Sequence, residues 1–159
     1  MSYRVGIGYD IHKLTRRREL FLGGVKIPCK KGLLGHSDGD VILHAICDCL
    51  LGAIGEKDLG EIFSDKDPKY KGISSSLFLK EVLDLVKKKD YEIDNVDVVV
   101  IAKHPHLEPF KIKISENISK ILEIDRDSVT IKAKTNQEIG ETGKGKAIAS
   151  FSVCLLKRR

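Results

Sequence analysis

A chain of 159 residues is the length of one domain and can bury a core without disulfides or a structural metal, and its four cysteines, which form no C-x-x-C pair, read as reduced and mostly buried thiols. Its 28 Lys and Arg against 23 Asp and Glu leave a net charge of +5, which suits a small phosphorylated ligand and is too modest and too scattered for a nucleic-acid binder. There is no run of about 18 apolar residues to span a membrane, and Met1 leads directly into the first strand without a leader, so a cytoplasm or an equivalent organelle interior is expected.

RVGIGYDIHKL (residues 4–14) reads as a strand. Val5, Ile7, Tyr9 and Ile11 fall on one parity and Gly6, Gly8, Asp10 and His12 on the other. The expectation is that the first set is buried, while Asp10 and His12 leave one face together beside glycines that clear space around them. That pair is either a solvated strand end or two ligands of a zinc site. The GIG within it is no dinucleotide fingerprint, because no third glycine follows at the required spacing and no helix comes next.

ELFLGGVKIP (residues 19–28) predicts a hairpin or a bent strand about Gly23-Gly24. A helix is expected over DGDVILHAICDCLLGAIG (residues 38–55), capped by Ser37 or Asp38, with Val41, Ile42, Ala45, Ile46, Leu50 and Ile54 toward the core. Asp40, His44 and Asp48 form an i, i+4, i+8 polar stripe on that helix. His44 is either a core histidine satisfied by these acids or a third zinc ligand whose ring Asp40 or Asp48 orients. With Asp10 and His12 it would leave the fourth tetrahedral position open, as catalytic zinc does.

Residues 56–72 have no sustained period and read as a long loop of the kind that forms lids and binding segments. A serine-capped helix over residues 74–90 follows, with Leu77, Val82, Leu85 and Val86 inward. Next come a buried strand (91–103), a rigid HPHLEPF turn, a helix (110–124) with Ile112, Ile118, Ile121 and Leu122 available for packing, and strands over SVTIKAKTN and AIASFSVCLL. The glycine-studded loop 136–146 matches no P-loop; with Lys144 and Lys146 it is either a phosphate cradle or a plain connection. The order of elements predicts an α+β fold: a mixed four- to five-stranded sheet with helices on one face, in a single domain over residues 1–159.

With GIGYDIH, GLLGHSDGDVILHAICDCLLGAIG, DLGEIFSDKDPKYKG and KAKTN in place, the chain closely resembles the 2-C-methyl-D-erythritol 2,4-cyclodiphosphate synthase family from its first strand to its last. The resemblance implies zinc (Zn2+) on Asp10, His12 and His44, in agreement with the residue reading. It implies cyclisation of 4-diphosphocytidyl-2-C-methyl-D-erythritol 2-phosphate with release of CMP, the substrate's own phosphate acting as nucleophile. His36 and Thr135 are the catalytic positions it marks, and Asp10, His12, His36 and Ser37 would lie against the substrate, the last two just before a helix N-terminus. Asp58 and Gly60 would hold hydroxyls, and residues 63–67, with Phe63, Asp65 and Asp67, would form a lid. Residues 102–107, with Ala102, Pro105 and Leu107, would bind cytosine, and Ala133, Lys134 and Thr135 the phosphates. The family assembles as homotrimers with shared sites and uses a second divalent cation, Mg2+ or Mn2+. This sequence departs from the family at Gln137, where glutamate is usual, at Glu141, where an aromatic is usual, and at Lys144, where arginine is usual. These departures motivate the alternative of a non-catalytic binder of CDP-type or isoprenoid diphosphates.

Overall fold

A computed structural model describes residues 2–159. In chain order the elements are β1 (Tyr3–Arg16), β2 (Leu20–Leu22), β3 (Val25–Ile27), β4 (Lys31–Leu33), α1 (Val41–Ala53), α2 (Leu59–Ile62), α3 (Ser75–Lys88), β5 (Tyr91–Ile101), α4 (Lys111–Leu122), β6 (Val129–Lys134), α5 (Gly140–Gly143) and β7 (Ala147–Arg158). Five strands form one mixed sheet in the order β4-β1-β7-β5-β6, with β5 and β6 parallel and the other neighbours antiparallel. The expected architecture, a mixed sheet with its helices on one face, is the one observed, and β2 and β3 form the expected hairpin apart from it. Gly23 and Gly24, at φ 61° and 75°, supply the two successive left-handed residues that a two-residue hairpin turn requires.

Burial on β1 is the reverse of the expectation. Val5 and Ile7 are 68% and 71% exposed, and Tyr9 and Ile11 are exposed too, whereas the glycine parity faces α1. Nor do the glycines clear a recess: a Cβ on Gly6 would sit 1.8 Å from the Cys49 carbonyl oxygen, and one on Gly8 1.8 Å from that of Ala45. The helix backbone occupies the space that side chains would need. On the same face of β7, Ser152 Oγ and Cys154 Sγ donate to the carbonyls of Ala45 and Cys49. The helix therefore lies against a floor of small residues, and its own residues Val41, Ile42, Ala45, Ile46, Leu50 and Ile54 are buried as the helical period predicts. Because α1 is covered by the sheet below and α3 above, it is apolar nearly all round. Each fully buried Leu or Ile there contributes about 1.5–3 kcal/mol.

The cap of α1 is neither Ser37 nor Asp38 but Asp40, whose carboxylate accepts from Leu43 N at 3.1 Å and from Gly23 N and Gly24 N at 2.9 and 2.7 Å. Complete burial, and next the charge of Asp38, push this carboxyl up to about 6, against the three N–H bonds. Residues 56–72 are more ordered in secondary structure than a long loop. Asp58 caps α2 through Glu61 N, and Asp67 caps a single 3-10 turn, Pro68–Tyr70, through Lys69 N. In α3 the Ser74 cap and the buried Val82 and Val86 agree with the sequence, but Leu77 is exposed, as is Ile112 on α4.

Candidate metal centre and substrate cleft

Asp10 and His12 project from the helix side of β1 toward α1, and His44 reaches back from the first turns of that helix. The Asp10 Oδ2 to His12 Nε2 and Asp10 Oδ2 to His44 Nδ1 distances are both 2.9 Å, and the two ring nitrogens stand 3.3 Å apart. Edges of that length are close to the ~3.3 Å edge of a tetrahedron with bonds of about 2 Å. Among the described residues this is the one group of three His, Cys, Asp or Glu whose donor atoms converge in this way.

The hydrogen bonds behind the rings decide which nitrogens are bare. His12 Nδ1 lies 2.6 Å from the Leu34 carbonyl, which only accepts, so the proton sits on Nδ1 and Nε2 keeps its lone pair. His44 Nε2 lies 2.8 Å from Ser75 Oγ, and Ser75 in turn gives its proton to Asp38 Oδ1 at 2.5 Å. His44 therefore donates from Nε2, and its Nδ1 is bare. Two nitrogen lone pairs and a carboxylate oxygen are thus aimed at one another, a set that suits a cation such as zinc in both donor chemistry and spacing. Burial alone would raise the Asp10 carboxyl, but the hydrogen bonds it accepts from His12 and His44 whenever those rings carry a second proton outweigh that and hold it well below the usual carboxylate range. Burial lowers His12, and the bond to Asp10 overcomes it, so that ring is raised above 6.5.

Neither Asp40 nor Asp48 orients His44. Asp40 is spent on the cap described above, and Asp48 accepts from Leu59 N at 2.7 Å, tying α1 to the start of α2. Burial pushes the Asp48 carboxyl above its ordinary range. The orienting role belongs to Ser75, with Ser37 Oγ a further 3.2 Å neighbour of His44 Nε2.

Asp10, His12 and His44 line an open cleft of about 430 Å³. His36, Ser37, Gly60, Phe63 and Asp65, all singled out in the sequence, line it, together with Asp48, expected only as an orienting partner of His44, and with Tyr70 and Phe78, which were not singled out. Phe63, Tyr70 and Phe78 stack with centroids 4.8–5.6 Å apart and give one wall an apolar surface. His36 Nε2 donates to the Asp67 carbonyl at 3.2 Å, and Gly72 N to the His36 carbonyl at 2.7 Å, so the 63–72 segment is tied to the cleft. The N-terminus of α1 is not the anion site expected beside His36 and Ser37, because Asp40 already fills it. Asp58 and Asp67 lie outside the cleft lining.

A second, smaller recess of about 80 Å³ brings together Ala102, Leu107, Ala133, Lys134 and Thr135 with Lys103 and His106. It shares no lining residue with the cleft, and β7 runs between the strand carrying Asp10 and the strand leading to Ala102. Pro105 follows a cis bond from His104. Asn136, Gln137 and Glu138 all have positive φ, a run of left-handed non-glycine residues next to Thr135. Glu138 pairs with Lys103 at 3.3 Å and Glu141 with Lys146 at 3.2 Å, while Lys144 ends α5; Gln137, Glu141 and Lys144 line neither cavity. A larger groove of about 640 Å³, where β5 begins and β7 ends, is lined by salt-bridged lysines and acids and holds none of the predicted residues.

The match to the YgbB family runs over residues 3–157, nearly the whole chain. The chain belongs to the YgbB family. A relative from Clostridium acetobutylicum named 2-C-methyl-D-erythritol 2,4-cyclodiphosphate synthase is 53% identical over 153 residues, 96% of this chain and 99% of its own. The Plasmodium falciparum IspF structure in complex with CDP superimposes with a TM-score of 0.88 at 40% identity, covering 99% of this chain and 97% of that one. The bifunctional IspDF from Campylobacter jejuni gives 0.96 at 37% identity; this chain covers 99% of itself but spans 43% of that longer chain. As a YgbB member with synthase relatives of this identity, the chain is an enzyme, a lyase of isoprenoid biosynthesis, and the non-catalytic alternative gives way. Among the described residues no helix is long and apolar enough to cross a membrane.

Proposed function

We propose that this YgbB enzyme converts 4-diphosphocytidyl-2-C-methyl-D-erythritol 2-phosphate to 2-C-methyl-D-erythritol 2,4-cyclodiphosphate and CMP, with Zn2+ held by Asp10, His12 and His44. The observation that carries it is the convergence of three bare donor atoms, their tautomers fixed from behind, on the floor of a cleft large enough for a sugar phosphate. Bound there, zinc supplies a Lewis acid for a phosphate oxygen.

The substrate's 2-phosphate oxygen forms the new bond to the β-phosphorus, and the bond from that phosphorus to the bridging oxygen breaks, the electron pair leaving on CMP. The protein contributes no nucleophile; it holds two phosphates in line and balances their charge. The aromatic wall of Phe63, Tyr70 and Phe78 takes the carbon skeleton and excludes water from it. His36 keeps its Nε2 proton on the Asp67 carbonyl, so Nδ1 is the edge left for a phosphate. Ala102, Pro105, Leu107, Ala133, Lys134 and Thr135 are assigned to the cytidine diphosphate end, where a second divalent cation, Mg2+ or Mn2+, would neutralise phosphate charge. Gln137 would be a poorer ligand for such an ion than a carboxylate, and Glu138 is engaged by Lys103.

The same reading includes a trimer with shared sites. Val5, Ile7 and Tyr9 pair in register with Leu155, Val153 and Phe151 on the sheet face that carries no helix and, with the exposed Ile11 beyond them, form an apolar band of the kind that marks an interface. The separation of the cleft from the recess supports completion of each site by a neighbouring copy. Ile7→Asp, on that face and away from the ligands, is expected to reduce the particle from three chain masses to one in light scattering, with zinc retained and turnover lost. A wild-type monomer that turns over fully would overturn the sharing.

The reaction itself is tested by mixing zinc-loaded protein, magnesium and the substrate and following phosphorus NMR. Resonances of a cyclic diphosphate with stoichiometric CMP are expected. Linear phosphate products from folded, metal-loaded protein would sink the proposal.

A further inference from the structure

His44 meets the rest of the molecule through two edges with different jobs. Its Nδ1 edge faces Asp10 and His12, and its Nε2 edge faces a closed set of hydroxyls, Ser75 and Ser37, which are fully and nearly fully buried. Behind them, Asp38 holds Ser75 at both ends, Oδ2 accepting from Ser75 N at 3.0 Å and Oδ1 from Ser75 Oγ at 2.5 Å. Asp38 is itself fixed, its own N–H donating to the Ile73 carbonyl at 3.1 Å and its Oδ1 accepting from Asp40 N, also at 3.1 Å.

We propose that Asp38 and Ser75 are positioning residues that set the tautomer of His44, and through it the affinity of the metal centre. This rests on the reading that Asp10, His12 and His44 hold the metal. The direction of the chain of protons follows from which atoms lack one. A carboxylate has no proton to give, so the short contact between Asp38 and Ser75 is bridged by the serine's proton. Ser75 Oγ is then left with lone pairs only, and the contact to His44 needs the proton on Nε2. Without Asp38, Ser75 is free to turn its proton toward His44; the imidazole then exchanges tautomers, and Nδ1 carries a proton where the cation must sit. Ser75 opens α3, so the same pair also fixes the helix that supplies Phe78 to the aromatic wall.

The expected size is set by the backup. Ser37 Oγ is a second acceptor 3.2 Å from Nε2, so loss of Ser75 weakens the preference without abolishing it. Partners of this type contribute roughly 10–100-fold to metal affinity. Ser75→Ala keeps the helix, because alanine is a better helix former than serine.

The test uses the full chain, metal-free and labelled with 15N-histidine, and then titrated with zinc against a chromophoric chelator. The Asp10 carboxylate, 2.9 Å from Nδ1, also accepts a proton, so the neutral wild-type ring is expected to be predominantly Nε2-protonated, with Ser75→Ala and Asp38→Asn shifting it to mixed tautomers and giving about 10–100-fold weaker zinc binding. Equal affinity and an unmixed tautomer in both variants overturns the relay. A fold defect does not mimic this result, since the tautomer is read on His44 itself; if Ser75→Ala fails to fold, Asp38→Asn, which keeps the size of the side chain, decides. Failure of the metal reading looks different: wild type and His44→Ala would then bind zinc equally weakly, whatever the tautomers are.

Discussion

Alanine in place of Gly8 is expected to leave the protein largely unfolded, or folded with α1 displaced and no metal bound. The added methyl would lie 1.8 Å from the Ala45 carbonyl oxygen and 2.8 Å from Cys49 N, both of them helix backbone. No rotamer change relieves such a clash, so either the strand or the helix must move by more than an ångström. Overpacking that side chains absorb costs about 1–3 kcal/mol, and displacement of the central helix puts this case beyond that range, at about 4 kcal/mol or more. Because Asp10 and His12 lie just beyond Gly8 on β1 and His44 lies on α1, any surviving fold has its ligands pulled apart. Denaturant unfolding and zinc content measure the two effects, and a variant of wild-type stability with full zinc would refute the close packing.

His44→Ala separates the metal from the fold. Zinc is expected to fall from one per chain to none, and turnover by at least about 1,000-fold, the several kcal/mol that a Lewis acid supplies at a transferring phosphate. The helix should survive, since alanine propagates it better than histidine. Loss of the Nε2 donor leaves Ser75 and Ser37 with an unfilled acceptor, a stability cost of about 1–3 kcal/mol. Turnover at the wild-type rate with bound zinc would remove His44 from the ligand set. The two readings of this residue that the sequence leaves open are compatible: its Nε2 edge is that of a satisfied interior histidine, and its Nδ1 edge converges with Asp10 and His12 in a group that could hold a metal ion.

The convergence of Asp10, His12 and His44 was legible because it depends only on local periodicity. Asp10 and His12 share a strand face whichever face is buried, and His44 lies on the helix that must cover it. Which face of β1 is buried was not legible from its apolar residues, because an apolar set has two uses, a core or another copy of the chain. The better signal was in the small residues: Gly6 and Gly8 on the strand, Ser150 and Ser152 on β7, and Ala45, Cys49 and Ala53 at every fourth position of α1. The partners of His44 were out of reach for another reason. Ser75 lies 31 residues away in sequence, and no local rule brings it back, whereas Asp40 and Asp48 were plausible only for being one turn away. Residues 56–72 were partly legible, since Asp58 three residues before Glu61 and Asp67 before Pro68 are helix-start patterns that their polar composition obscured.

The carboxylate of Asp40 serves two elements with one side chain, starting α1 while holding the turn between β2 and β3. The two turn amides of the hairpin have their acceptor only when the start of α1 is in place. Opening the helix start removes the acceptor of both turn amides, and opening the hairpin strips the buried Asp40 carboxylate of two of its three N–H bonds, so the two open together as a single cooperative unit and their amides gain protection from solvent exchange together. His44 begins one turn along that helix, and the readiness of the metal centre is therefore tied to a glycine turn that never touches it.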